Sequence, residues 1–144
     1  MSGHFDDASS NGGNGFGYTG SRIGAIASGQ LFDVSDVAHD AGFKWPVAFT
    51  RCAWDECVKW RDEDSAKQVF QSEKIRLIDI LRVCAYTIRM ADPEENRMNF
   101  EIARVSRDGE SMEASRVTLQ IVAHLGDEGQ PVLTILLPLA VENA

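Results

Sequence analysis

The stretch SEKIRLIDILRVCAYTIRMAD, residues 72–92, constrains this 144-residue chain more than any other. Leu77, Ile78, Leu81, Cys84, Ala85 and Ile88 recur at three- and four-residue spacing, which predicts a helix with one wide apolar face. Arg76, Asp79, Arg82 and Arg89 fall largely off that face, and Pro93 ends the element. A helix of this kind draws its stability from an apolar surface to lie on, and the segments after it supply one. RMNFEIARV alternates Met98, Phe100 and Ile102 with Asn99 and Glu101; RVTLQIVAHL alternates Val117, Leu119 and Ile121 with Thr118 and Gln120. Alternation marks half-buried strands, whereas the near-continuous apolar run PVLTILLPL marks a strand covered on both faces. Turns are expected at Asp108-Gly109 and within GDEGQ. The expected fold is α+β: short N-terminal helices and one long amphipathic helix packed on a three-stranded, or slightly larger, antiparallel sheet. Residues 21–144 are expected to form a single domain.

Upstream, SRIGAIASG and SDVAHDAG read as short helices and QLFDV as a short strand. KWPVAF is expected to run extended, because Pro46 disfavours helical angles at Trp45. Thr50 can cap a helix reaching about Trp60, and RDEDSAK reads as a polar connector. Residues 1–20 include ASSNGGNGFGYTG, too poor in apolar side chains to offset the entropy of ordering. They are expected to form a flexible head with Phe5, Phe16 and Tyr18 as docking points. Its glycines make no phosphate loop, since no Lys-Ser/Thr pair follows them.

Twenty-two acidic against fourteen basic residues give a net charge of −8. That balance argues against direct nucleic-acid binding, which relies on displacing counterions with a basic surface. No apolar run approaches the roughly 20 residues of a spanning helix, and no signal-like leader is present. A cytoplasmic protein with no membrane partner is expected. Three cysteines, an odd number, are expected to stay reduced.

The densest chemistry is TRCAWDECVKW, residues 50–60. On a helix Cys52 and Cys57 lie about 140° apart, so they serve neither one metal nor one disulfide. The stretch reads as a helix face, with Trp54 and Trp60 as candidate binding anchors. The one local acid–imidazole pair is Asp36 with His39; with Cys57 it forms the candidate site of an enzyme reading. Carboxylates cluster at Asp62, Glu63 and Asp64, at Asp92, Glu94 and Glu95, and at Asp127 and Glu128. None of these runs has the alternating ligands and central glycine of a calcium loop; they are candidates for contacting a basic partner. Arg97, Arg104, Arg107 and Arg116 are interleaved with acids around the first hairpin and are expected to pair across strands. No catalytic residue, metal site or cofactor is expected.

SRIGAIASGQLFDVSDVAHDAGFKWPVAFTRCAWDECVKW, RLIDILRVCAYTIR, ARVSRDG and GDEGQPVLTILLP together resemble a family of small bacterial proteins common on plasmids and other mobile elements. That family is catalogued only as a domain of unknown function. The similarity runs from Ser21 to Pro138. The resemblance implies a mobile-element context and brings no catalytic residue. With the acidic balance, it leads to the expectation of a non-enzymatic protein-binding module. Such a module would act as a counter-defence inhibitor, occupying a basic nucleic-acid-binding surface of a host complex. The alternatives are a small enzyme near His39 and Asp36 and a structural homo-oligomer, paired through the last strand or a sheet edge.

Overall fold

In a computed structural model of the chain, residues 16–138 are described. Among these residues five helices and five strands follow in the order α1 (Arg22–Ser28), β1 (Leu31–Asp33), α2 (Ser35–Asp40), β2 (Val47–Thr50), α3 (Arg51–Cys57), α4 (Asp62–Lys67), α5 (Glu73–Met90), β3 (Arg97–Arg104), β4 (Ser115–Leu125) and β5 (Pro131–Leu136). The strands form one sheet in the order β1-β2-β5-β4-β3.

The architecture is α+β, but the sheet is larger than the sequence suggested and is mixed rather than purely antiparallel. β3, β4 and β5 form the expected antiparallel meander. β2 then adds to β5 in parallel, with Val47 opposite Leu133 and Phe49 opposite Ile135, and β1 closes the sheet antiparallel to β2. β5 therefore lies at the centre, and five of its six residues are buried. Its near-absence of polar side chains follows from having both faces covered.

On one face, Ile80, Leu81 and Cys84 of α5 pack with Phe49, Phe100, Leu119, Ile121 and Ile135 in the main core. Ser72 starts α5, its hydroxyl accepting from Ile75 N, as a helix N-cap should. On the opposite face a smaller core joins Phe16, Tyr18, Leu31, Ala48, Val122 and Leu136. Of the expected head, residues 1–15, with His4 and Phe5, lie outside the described residues, as do residues 139–144. Phe16 and Tyr18 are not exposed docking points but are buried against the sheet. Gly17 makes this close approach feasible. Its φ is +92°, and a β-carbon there would collide with the Thr50 side chain.

Two local readings need correction. RDEDSAK is a helix, α4, because the Asp64 carboxylate accepts from Arg61 N at 2.8 Å and so closes its first turn. Arg76, placed off the apolar stripe by its spacing, is 1% exposed. Its guanidinium donates to the Val58 and Val105 carbonyls and to Gln71 Oε1, and sits 4.7 Å from the centre of the Trp60 ring. The long side chain reaches past the stripe to carbonyls that need a donor.

Candidate functional site

The strand directions sort the connections between two ends of the sheet. Because β2 and β5 are parallel and β3 and β4 antiparallel, residues 41–46, 92–96 and 126–130 all emerge at one end. There the sheet, α5 and the residue 41–46 connection enclose an open groove of about 1490 Å³. Met98, Ala123 and Leu133 form its floor, Ala85 and Ile88 of α5 one wall, and Phe43 and Trp45 the other. Trp45 keeps 45% of its surface exposed. Pro46 holds Trp45 out of helical angles, while Leu133 N donates to the Pro46 carbonyl at 2.8 Å, tying this wall to β5.

Asp92, Glu94 and Glu95 stand at the groove mouth, with Lys44 and Arg89 also on the rim. Asp92 is engaged in its own turn, its carboxylate accepting from Glu94 N at 3.0 Å. Glu94 and Glu95 make no ion pair among the described residues. They also sit just beyond the C-terminus of α5, whose last carbonyls carry negative partial charge. An apolar floor beside uncommitted carboxylates can take an apolar side chain with a cation next to it.

Of the other acidic residues, Asp64 and Asp127 are engaged within the fold. Asp62 to Asp64 lie toward the opposite end of the sheet, where Arg107 bonds Asp64. Burial pushes the Asp64 carboxyl up, but the hydrogen bonds from Arg107 and Arg61 outweigh it and leave it below its ordinary value. Asp62 and Glu63 remain exposed. Asp127, in the β4–β5 turn, accepts from Arg22 N at 2.7 Å and Ile23 N at 2.9 Å. Those two bonds hold its carboxyl below the usual range and cap α1 from across the sheet. Asp127→Ala is expected to lower stability by about 1 kcal/mol, the usual scale for a lost helix cap, measured by urea unfolding; Glu128→Ala, at an exposed neighbour, is expected to change it by less than about 0.5 kcal/mol.

Neither expected tryptophan anchor is a free surface. Trp60 is 4% exposed, its indole N–H donating to Ser65 Oγ at 3.0 Å. Trp54 is half-buried, stacked on Phe32 at 5.0 Å and edge-on to Phe49. Trp45, which the sequence offered only as part of an extended segment, is the exposed one. His39 and Asp36 are both exposed on α2, and no hydrogen bond or ion pair joins them. Cys57 is buried in the main core, where burial and then Glu56 push its thiol up to about 11. The residues of the enzyme reading are thus not brought together. Among the described residues no group of three or more His, Cys, Asp or Glu side chains is placed to hold a metal. No helix among them is long and apolar enough to cross a membrane. The arginine pairing expected around the first hairpin appears as Arg116–Glu101 at 3.5 Å; Arg104 instead is buried, donating to the Arg76 carbonyl at 2.9 Å.

Sequence pattern did not reveal a buried polar network behind the sheet. The Arg22 guanidinium donates to Thr134 Oγ1 at 2.7 Å and to the Leu133 carbonyl at 2.8 Å. His124 Nε2 lies 2.7 Å from the same hydroxyl, and His124 Nδ1 lies 3.1 Å from the Leu125 carbonyl. A carbonyl only accepts, so Nδ1 carries the proton, and Nε2 accepts from Thr134 while Thr134 accepts from Arg22. Phe16 closes the site, stacked on the imidazole at 3.6 Å. This packing holds Phe16 and Tyr18 against the sheet, and the imidazole is 2% exposed.

These features define an α+β protein with an open, acid-rimmed apolar groove at one end of its sheet. The profile of DUF6573, a family of unknown function, matches residues 17–140, and the chain belongs to that family. No curated protein and no solved structure matches the chain.

Proposed function

We propose that the chain is a protein-binding module and that the groove beside Trp45 is where it holds its partner. The observation that carries this reading is the apolar floor of Met98, Ala123 and Leu133 lying next to the uncommitted carboxylates of Glu94 and Glu95. The complementary occupant is a partner segment that inserts an apolar side chain and sets a lysine or arginine against the mouth. An exposed, rigid indole at the rim suits it as an anchor, since tryptophan is enriched among residues that dominate binding energy. A finer version rests on the net charge of −8 and on the sequence resemblance. In it the module belongs to a mobile element, and its target is a basic nucleic-acid-binding surface of a host complex.

The test is retention of proteins from host lysate by the tagged chain, at low and high salt. It is run beside Trp45→Ala and a Glu94→Lys, Glu95→Lys double variant. One discrete protein is expected with the wild type, weakened by salt and lost with the double variant. Retention that ignores the groove variants but is lost on Asp62→Lys, Glu63→Lys would move the site to the other end of the sheet. Against the purified partner, Trp45→Ala is expected to weaken binding about tenfold or more, with the thermal midpoint unchanged.

A further inference from the structure

We propose that the β3 edge pairs, antiparallel and two-fold symmetric about Asn99, with β3 of a second copy of this chain. β3 is the last strand on its side of the sheet and has no neighbour beyond it among the described residues. It is eight residues long and carries no proline, so its outer amides and carbonyls are not blunted by brevity or by a missing donor. Of its charges Arg104 turns inward, while Arg97 and Glu101 are of opposite sign and can complement each other across a symmetric pair. The opposite edge strand, β1, has three residues.

The register follows from backbone geometry. Ala123 N donates to the Asn96 carbonyl at 2.8 Å, which makes the even-numbered residues of β3 the ones bonded to β4. In an antiparallel pair the direction of these groups alternates, so the amides and carbonyls of Arg97, Asn99, Glu101 and Ala103 point outward. A two-fold axis at Asn99 sets Arg97 opposite Glu101 of the other copy, twice, and Met98 opposite Phe100. It also keeps each copy's core face on the same side, because every paired residue has the same parity. Moving the axis to Glu101 would oppose two like charges. Moving it to Phe100 sets Arg97 opposite Ala103 and loses the charge complement. Opposite charges directly across a pair of strands are favourable and like charges are not.

A second observation points to the same occupant. Tyr86 and Met90 of α5 are 56% and 68% exposed, and with Arg97 and Asn99 they line a concavity of about 640 Å³ along this edge. A sheet continued through β3 brings a second α5 onto the same side, where the two helices can cover these side chains. The final strand, the other pairing element offered by the sequence, is central and already bonded on both sides.

The test is the molar mass of the full chain by light scattering and sedimentation across micromolar concentrations. A dimer is expected. Asn99→Pro removes one outward N–H without touching the β4 bonds, and is expected to give a folded monomer with wild-type circular dichroism. Glu101→Arg alone is expected to weaken the dimer about tenfold or more. Adding Arg97→Glu should restore it, since both pairs are then reversed. A wild-type monomer at every concentration overturns the proposal. So does a dimer indifferent to Asn99→Pro, or a double variant no tighter than Glu101→Arg; either would place the contact elsewhere.

Discussion

Phe49→Ala is expected to lower the free energy of unfolding by about 4 kcal/mol, the scale for truncating a buried phenylalanine. Phe49 is fully buried. It stands opposite Phe32 on β1 and Ile135 on β5, and meets the Trp54 ring edge-on at 6.0 Å between centroids. Truncation removes the ring from the junction between α3 and the parallel strand pair, where backbone on both sides limits collapse. For a domain whose net stability is roughly 5–15 kcal/mol, that is a large share; the melting temperature should fall by roughly 10 °C. Phe70→Ala makes the control, since Phe70 is 88% exposed and its loss should change stability by less than about 0.5 kcal/mol. A loss below about 1 kcal/mol for Phe49 would mean that β2 does not lie inside the sheet.

The same strand shows where sequence reading stops. α5 was legible because its apolar spacing persists through eighteen residues, and β3 and β4 because alternation leaves a period of two. β2 is four residues, all buried, with no period to read. Its parallel partner begins more than eighty residues later, and short apolar runs carry no signal of direction or neighbour. Arg76 misled for a related reason: spacing records where a side chain starts, whereas a long one ends elsewhere.

The groove illustrates a different limit. Its acids were visible, yet Asp64, Asp127 and Glu94 look alike in sequence. The fold alone separates them: Asp64 is taken by Arg107, Asp127 by α1, and Glu94 is left open. The floor draws single residues from β3, β4 and β5, each indistinguishable in sequence from ordinary core. Trp45 stood out less than Trp54 and Trp60, which lie in a cysteine- and acid-rich stretch whose helix ends at Cys57, short of Trp60, although those two are held by stacking and by a hydrogen bond.

Acid is expected to destabilise the fold by about 3 kcal/mol between pH 7 and pH 4 through His124 alone. Burial, then the positive charge of Arg22, lower the imidazole from 6.5 to about 4; the Leu125 carbonyl opposes this, and Arg97 adds to it. The folded state therefore binds fewer protons than the unfolded state in this interval, and stability falls as pH falls. The contribution is complete above pH 6.5, about 2 kcal/mol of it is gone by pH 5, and the loss levels off below about 4. Protonation would turn Nε2 from acceptor to donor, so the Thr134 hydroxyl would lose the acceptor for its own proton while a second cation was set beside Arg22. Asp64, Asp108 and Asp127 titrate below their ordinary values, so their contributions begin to fade below about pH 5 and are lost mostly below about pH 4. The wild type and a His124→Gln variant share that loss, and it cancels in the difference between them. Urea midpoints for the wild type and His124→Gln, measured from pH 7 to pH 4, isolate the effect. The variant is expected to be weaker at pH 7, having lost the Phe16 stack, but its curve should be flatter and the two should converge toward pH 4. Parallel curves would mean that the imidazole titrates normally and that Phe16 does not close over it.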